Sequence, residues 1–428
     1  MKRFSALGVF LAVLLPVAAQ TSDPEERIRI AHDLVGQGSA AIPRLQAMLT
    51  DLNTEVRVEA VKSIVEIGTQ ASLDPLIQAT RDNDAEVLIR ATDGLVNFYL
   101  PGYVRTGLTA SVRRVGGAIK ARFTDTNDVV IPRHLQARPE VVEALGKLAR
   151  GGVSMDSRAN AARAVGVLRG RAALPDLIEA LHSKNDQVLY EGLIAIQKIR
   201  DPEAAPRIAF LLRDLDEKVQ IAAIETTGLL ANREALPQLR DVLTTTRKKN
   251  VRRAALTAIA MLPDPASRNL YTQYMSDKDD GLRAASAEGL ARLKDRADLP
   301  AVEKAFAEEK KMAPRLADAF ALVAFGRTEV SEFSPLQYLI NSLNSSSWQG
   351  VGRAYLVELA REDAVRRAVE QAAPRGTRSE KVELAYVLSV SGDSKSVAVL
   401  DSLSRDGDSD AASAALTALK NLKVRLGS

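Results

Sequence analysis

The sequence predicts an all-α protein, a right-handed α-solenoid of stacked antiparallel helix pairs, about ten or eleven units long with one non-repeat insertion. Three observations carry this prediction. Pro175, Pro206 and Pro237 open similar strings at intervals of 31 residues. Val188, Val219, Val251 and Leu282 form a second ladder, spaced 31, 32 and 31. Four residues after each of these the side chain is small, at Gly192, Ala223, Ala255 and Ser286, as it is at Ala60 and Ala91 in an earlier stretch. Three ladders held in phase describe one supersecondary unit stacked on copies of itself.

Each unit reads as two helices. In the first, Pro175 stands where a missing N–H is harmless and its ring presets φ, and Leu174, Leu177, Ile178 and Leu181 make one apolar face. The second helix starts at an acceptor side chain three residues before the ladder position: Asn53, Asp84, Asn185, Asp216 and Asp279. Lys248 breaks this rule. The small residues let the neighbouring second helix approach, so their row is the expected seam between units. The string Pro43, Leu45, Leu49, Asp51, Val56, Arg57, Ala60 and Gly68 resembles the HEAT repeat, in the short form also found in phycobilisome-lyase-type proteins. The resemblance covers 41–99 and 139–294 and is weaker over 297–424. It implies a HEAT-like superhelix.

In chain order, residues 1–19 read as a secretory signal: Lys2 and Arg3, the apolar run Ala6–Val17, then small residues before Gln20. Asp23-Pro24 opens an N-terminal capping helix within 20–40, and Gly36 and Gly38 end it. Repeats fill 41–99. The phase is then lost over 100–138, which carries seven Arg and Lys against two Asp. Within it a helix is expected over 106–123, with Leu108, Val112, Val115 and Ile119 on one face and Arg113, Arg114, Lys120 and Arg122 mostly off it. Two readings compete there: a helix packed across the array, or a basic amphipathic helix that meets an acidic partner or, through 105–123, an anionic membrane surface. Repeats resume over 139–326. Residues 327–428 read as divergent helical pairs and a cap, with an exposed Ser/Asn-rich link at 341–347.

Composition narrows the chemistry. No cysteine is present, so disulfides, thiolate catalysis and a lipid anchor on cysteine are all excluded. The three histidines, His32, His134 and His182, lie far apart and none has metal-ligand spacing. No phosphate loop, dinucleotide fingerprint or nucleophile elbow occurs. The residues therefore call for no catalytic group, metal or cofactor. Formal charge is +4, and two of those charges lie in the expected signal, so nucleic acid is not an expected partner.

The strongest charge feature is Arg247-Lys248-Lys249-Asn250-Val251-Arg252-Arg253, five cations in seven residues at the start of a second helix. Cations there oppose the helix dipole, so Arg247, Lys248, Lys249, Arg252 and Arg253 are candidate partner contacts, together with Arg113, Arg114, Lys120 and Arg122. The expected function is a non-catalytic, exported scaffold, periplasmic or extracellular, that binds an acidic protein or peptide. The alternative is an envelope enzyme or small-ligand protein, with a site dispersed near 100–138 or in the block 306–355. That block holds seven of the eighteen aromatics.

Overall fold

The computed structural model describes residues 23–103, 129–132 and 134–427. The expected signal and the basic residues Arg113, Arg114, Lys120 and Arg122 lie outside the described residues. The chain forms two compact units, one up to Phe98 and one from Tyr99 onward, apart from the 104–112 stretch outside the described residues. Both are stacks of helix pairs, and the chain is an all-α solenoid.

The first unit opens with the helix Pro24–Asp33, capped by the Asp23 side chain, which accepts the Glu25 N–H at 3.0 Å. The capping helix is shorter than 20–40. After Asp33 the chain tightens into the 3-10 segment Leu34–Ala41, where Gly38 takes φ 59°, a left-handed value that a side chain would strain. The pairs Ile42–Met48 with Thr54–Ile67 and Leu73–Ala79 with Ala85–Tyr99 follow. Asn53 caps its helix by accepting the N–H groups of Glu55 and Val56, and Asp84 does the same for Glu86 and Val87.

The second unit contains nine pairs among the described residues, from Pro139–Gly151 with Met155–Val167 to Ser396–Leu403 with Ser409–Leu426. The caps at Asn185, Asp216 and Asp279 form as the pattern requires. One first helix departs from expectation. Residues 202–213 form two 3-10 segments, Pro202–Arg207 and Ala209–Arg213, instead of one α-helix. Pro206 lacks an N–H, and in an α-helix its ring would meet the carbonyl of Pro202, four residues back. Pro175 and Pro237 stand in a first turn, where neither defect matters.

The seam is as read. Ala60, Ala91, Ala223, Ala255 and Ser286 are fully buried, and neighbouring helices approach closely at Gly166, where an added Cβ would lie 2.7 Å from the Ala195 Cα. Extending the ladder by 32 residues from Leu282 reaches Pro314, so Asp318 takes the seam position of its unit. It is 2% exposed. The link at 341–347 is only partly exposed, because Ser342 and Leu343 turn inward in a short 3-10 segment. The last helix returns to the start of this unit. The His134 backbone N–H donates to Asn421 Oδ1 at 3.2 Å, and its ring Nδ1 lies 3.1 Å from the same oxygen. A cleft of about 500 Å³ lies beside this closure, between Pro139, Leu168 and Arg171 on one side and Asn421, Val424 and Arg425 on the other.

Candidate functional site

The basic turn 247–253 and the aromatic block with the helices beneath it are two places that gather charged side chains. The turn is built by the missing cap. Lys248 occupies the capping position of the helix Lys249–Ala260, and no side chain there accepts a first-turn N–H. Its own N–H is held by Thr246 Oγ1 at 3.2 Å, while its Nζ donates to the Leu215 carbonyl in the preceding turn at 3.1 Å. Arg247, Lys248, Lys249 and Asn250 are all exposed.

The five cations do not form one unopposed field. Lys249 lies 3.3 Å from Asp279, and Arg253 bonds Asp279 at 2.6 Å and Asp280 at 2.7 Å. Those two are therefore neutralised by the next unit. Asp279 itself is held below the ordinary carboxylate range: burial pushes it up, but the Arg253 bond and its capping N–H groups outweigh that. Arg252 turns inward to the Thr246 carbonyl at 3.0 Å. Among the described residues, Arg247, Lys248 and Arg252 meet no carboxylate at ion-pair distance. The same inward geometry recurs where the ladder arginine is fully used. Arg57 donates to the Asp51 carbonyl and to Asp82, and Arg283 to the Asp277 carbonyl and Glu309.

The second place is the aromatic block. Phe320 and Tyr355 stack with centroids 4.7 Å apart, and the Arg292 guanidinium lies 5.2 Å over the Phe320 ring. Arg292 forms a two-pronged pair with Glu358 at 2.7 and 2.8 Å and reaches Glu288 at 3.0 Å. The Tyr355 hydroxyl donates to Glu288 at 2.6 Å. Burial opposes the charge on Arg292, yet Glu358 and Glu288 outweigh it and hold the guanidinium protonated above its usual range. Burial, then the Glu288 charge, pushes the Tyr355 phenol well up. Nearby, the rings of Phe306 and Tyr338 meet edge to face at 5.7 Å, and the Arg315 guanidinium lies 5.3 and 5.1 Å from their centroids. Phe333 departs from the group and is 85% exposed.

This network joins the helices Asp280–Leu293 and Gln349–Leu359 across the intervening helix Met312–Ala324. Its polar atoms bond one another, which is the arrangement of a strut. The buried Arg315 Nε, without a hydrogen-bond partner among the described residues, is one exception, and Asp318 is another. Burial pushes its carboxyl up to about 8, helped by Glu309 and opposed by Arg283 and Arg315, and no hydrogen bond reaches it among the described residues. Among the described residues, no group of His, Asp and Glu could hold a metal ion, and no helix is long and apolar enough to cross a membrane.

Comparison with known proteins places this architecture. A family model described as HEAT repeats matches residues 11–95, 205–270 and 247–323, and one described as a PBS lyase HEAT-like repeat matches 157–183. No curated protein matches the chain. Among solved structures, the E. coli protein YibA is similar at 14% identity, covering 72% of this chain and 99% of its own, with a TM-score of 0.41. An engineered protein is similar at 20% identity over 89% of this chain and 98% of its own, with a TM-score of 0.39. The CpcE–CpcF complex of phycocyanin lyase from a Nostoc species matches at 19% identity over 67% and 88%, with a TM-score of 0.33. With its repeated ladders, capped second helices and the family-model matches, the chain belongs to the HEAT-repeat family.

Proposed function

We propose that this solenoid is a non-catalytic scaffold of the cell envelope, and that an acidic protein or peptide partner docks on the exposed turn around Arg247 and Lys248. The observation that carries the reading is the exchange made at Lys248. A cation stands where six other units place a capping Asn or Asp, as one also does at Lys311, and here in a turn whose neighbouring cations are only partly balanced. That choice forgoes a helix cap worth about 1 kcal/mol and sets positive charge against the helix dipole, with only the exposed hydrogen bond from Lys248 to the Leu215 carbonyl gained in return. A partner carrying carboxylates would supply the return, steered by a field that salt screens over roughly 8–10 Å. The aromatic block supports the scaffold over the catalytic alternative, because Arg292, Glu288, Glu358 and Tyr355 are committed to one another. The basic start and apolar run at residues 2–17 support an exported protein.

Lys248→Asp separates binding from stability. It restores the cap, so the melting temperature should rise by an amount matching about 0.5–1 kcal/mol. Affinity for a labelled oligo-glutamate peptide, followed by fluorescence anisotropy, should fall at low salt, and its salt dependence should weaken. Lys249→Asp is the contrasting variant: it places a second acid against the buried Asp279 and should lower stability. If Lys248→Asp melts higher and still binds oligo-glutamate as the wild type does, the turn is only a solvated loop.

A further inference from the structure

We propose that the turn edge of the second unit reads an extended acidic segment in a three-residue register, a proposal that rests on the acidic-partner reading above and specifies its ligand. The relevant position is the residue immediately before each second-helix capping residue. Caps fall at Ser154, Asn185, Asp216, Lys248, Asp279 and Lys311. The residues before them are Val153, Lys184, Leu215, Arg247, Lys278 and Lys310, one per unit in six consecutive units. All six are exposed, Val153 at 62% and Leu215 at 93%.

Direct contacts show that successive turns lie side by side. Lys248 Nζ donates to the Leu215 carbonyl at 3.1 Å, Asn250 Nδ2 donates to Glu217 at 3.1 Å, and Lys249 lies 3.3 Å from Asp279. Behind this edge, the arginines of the helix starts are matched to acids of the next unit, Arg253 to Asp279 and Asp280, and Arg283 to Glu309. At the edge the pattern stops. Among the described residues, no carboxylate lies at ion-pair distance from Lys184, Arg247, Lys278 or Lys310. Two large apolar side chains share the same row and point into water. A solvated edge needs neither feature, whereas a ligand with both acidic and apolar groups would use each.

The spacing sets the register. Packed helices stand about 8–10 Å apart, and a chain in the polyproline II conformation advances about 3.1 Å per residue with three residues per turn, so three residues step from one unit to the next and keep their side chains on one face. A segment of roughly sixteen residues would then span the row, with apolar, acidic, apolar, acidic, acidic and acidic side chains at every third position. Its carboxylates would meet Lys184, Arg247, Lys278 and Lys310, and its apolar groups Val153 and Leu215. The nearby acids Asp279, Asp280 and Glu309 are already bonded to cations and do not cancel the row.

The test uses the full chain and two labelled peptides of identical composition. One carries the acids and apolar groups in this register; the other has the same acids in one contiguous block. Anisotropy titrations at low salt should show the in-register peptide binding about tenfold tighter. Lys278→Glu with Lys310→Glu, whose side chains have no partner to lose, should abolish that preference while circular dichroism and melting stay unchanged. Equal binding of both peptides, weakened together in the double variant, overturns the register and leaves the acidic-partner reading standing. Tight in-register binding that ignores Lys278→Glu/Lys310→Glu overturns the placement. No binding of either peptide at low salt overturns the register and the acidic partner together.

Discussion

Replacing Asp318 with alanine should stabilise the second unit strongly at pH 8 and hardly at all at pH 4. The carboxyl sits at a seam that is alanine, glycine or serine in the preceding units, with 2% exposure and no hydrogen bond among the described residues. Burial, with Glu309 adding to it, raises its proton affinity until it titrates at about 8, against the lowering effect of Arg283 and Arg315. The unfolded chain releases the same proton near the ordinary aspartate value of about 3.9. Between these two values the folded state holds more protons than the unfolded state. Stability therefore falls as pH rises through that window. A displacement of about four units corresponds to a destabilisation on the order of 5 kcal/mol above the window, and to none below it. Ser286 shows that a small side chain fits the equivalent position. Chemical denaturation of wild type and Asp318→Ala at a series of pH values should give curves that separate progressively from pH 4 to 8. Parallel curves would mean that the carboxyl is hydrated or paired in solution.

Arg292→Ala should have the opposite sign and a similar size, a loss of about 3–5 kcal/mol. Its guanidinium bridges Glu288 and Glu358 and lies over Phe320, so truncation leaves Glu288 with the Tyr355 hydroxyl as its remaining side-chain donor. Glu288 is largely enclosed, at 13% side-chain exposure, so its unpaired charge accounts for most of the cost. Because Arg292 ties the helix Asp280–Leu293 to Gln349–Leu359, limited proteolysis should begin in 327–334 before the rest of the unit opens. Adding Glu288→Gln to the variant should recover part of the loss by removing the stranded charge while keeping an acceptor for Tyr355. If Arg292→Ala melts with the wild type, the network is a surface decoration and the strut assignment fails.

The repeat was legible because its physics is local and periodic. Capping acceptors at Asn53, Asn185, Asp216 and Asp279 recur at one offset from buried ladder residues, and each cap acts within three residues of itself. The same periodicity held signals that went unread. Counting one more unit from Leu282 places Asp318 in the seam. The recurrent pairing of Arg57 with Asp82 and of Arg283 with Glu309, some 25 residues on, points Arg252 at Asp277, whereas in the structure the next residue, Arg253, pairs with the cap Asp279. Pro206 resembles a first-turn proline because its string matches that of Pro175. The difference lies in Pro202, four residues earlier, which makes a continuous helix unfavourable. The Arg292–Glu358 pair left no trace in the sequence. It joins residues 66 apart across an intervening unit, through a curvature that no single repeat encodes. The turn 247–253 stood out by charge alone, and its partial neutralisation depended on which side chains of the next unit came within reach.

The central claim, that the turn edge of the second unit receives an acidic partner, is tested most directly by lysine footprinting. The folded protein would be acetylated briefly with and without excess oligo-glutamate peptide, and modification at each lysine read by mass spectrometry. Protection should fall on Lys184, Lys278 and Lys310, the exposed lysines of the row, and on Lys248 beside Arg247. Lys62 in the first unit and Lys147 on the helix Pro139–Gly151, paired with Glu59 and Glu143, should react as before. Uniform protection across all lysines, or protection centred on Lys62 and Lys147 with the row unchanged, would contradict the claim.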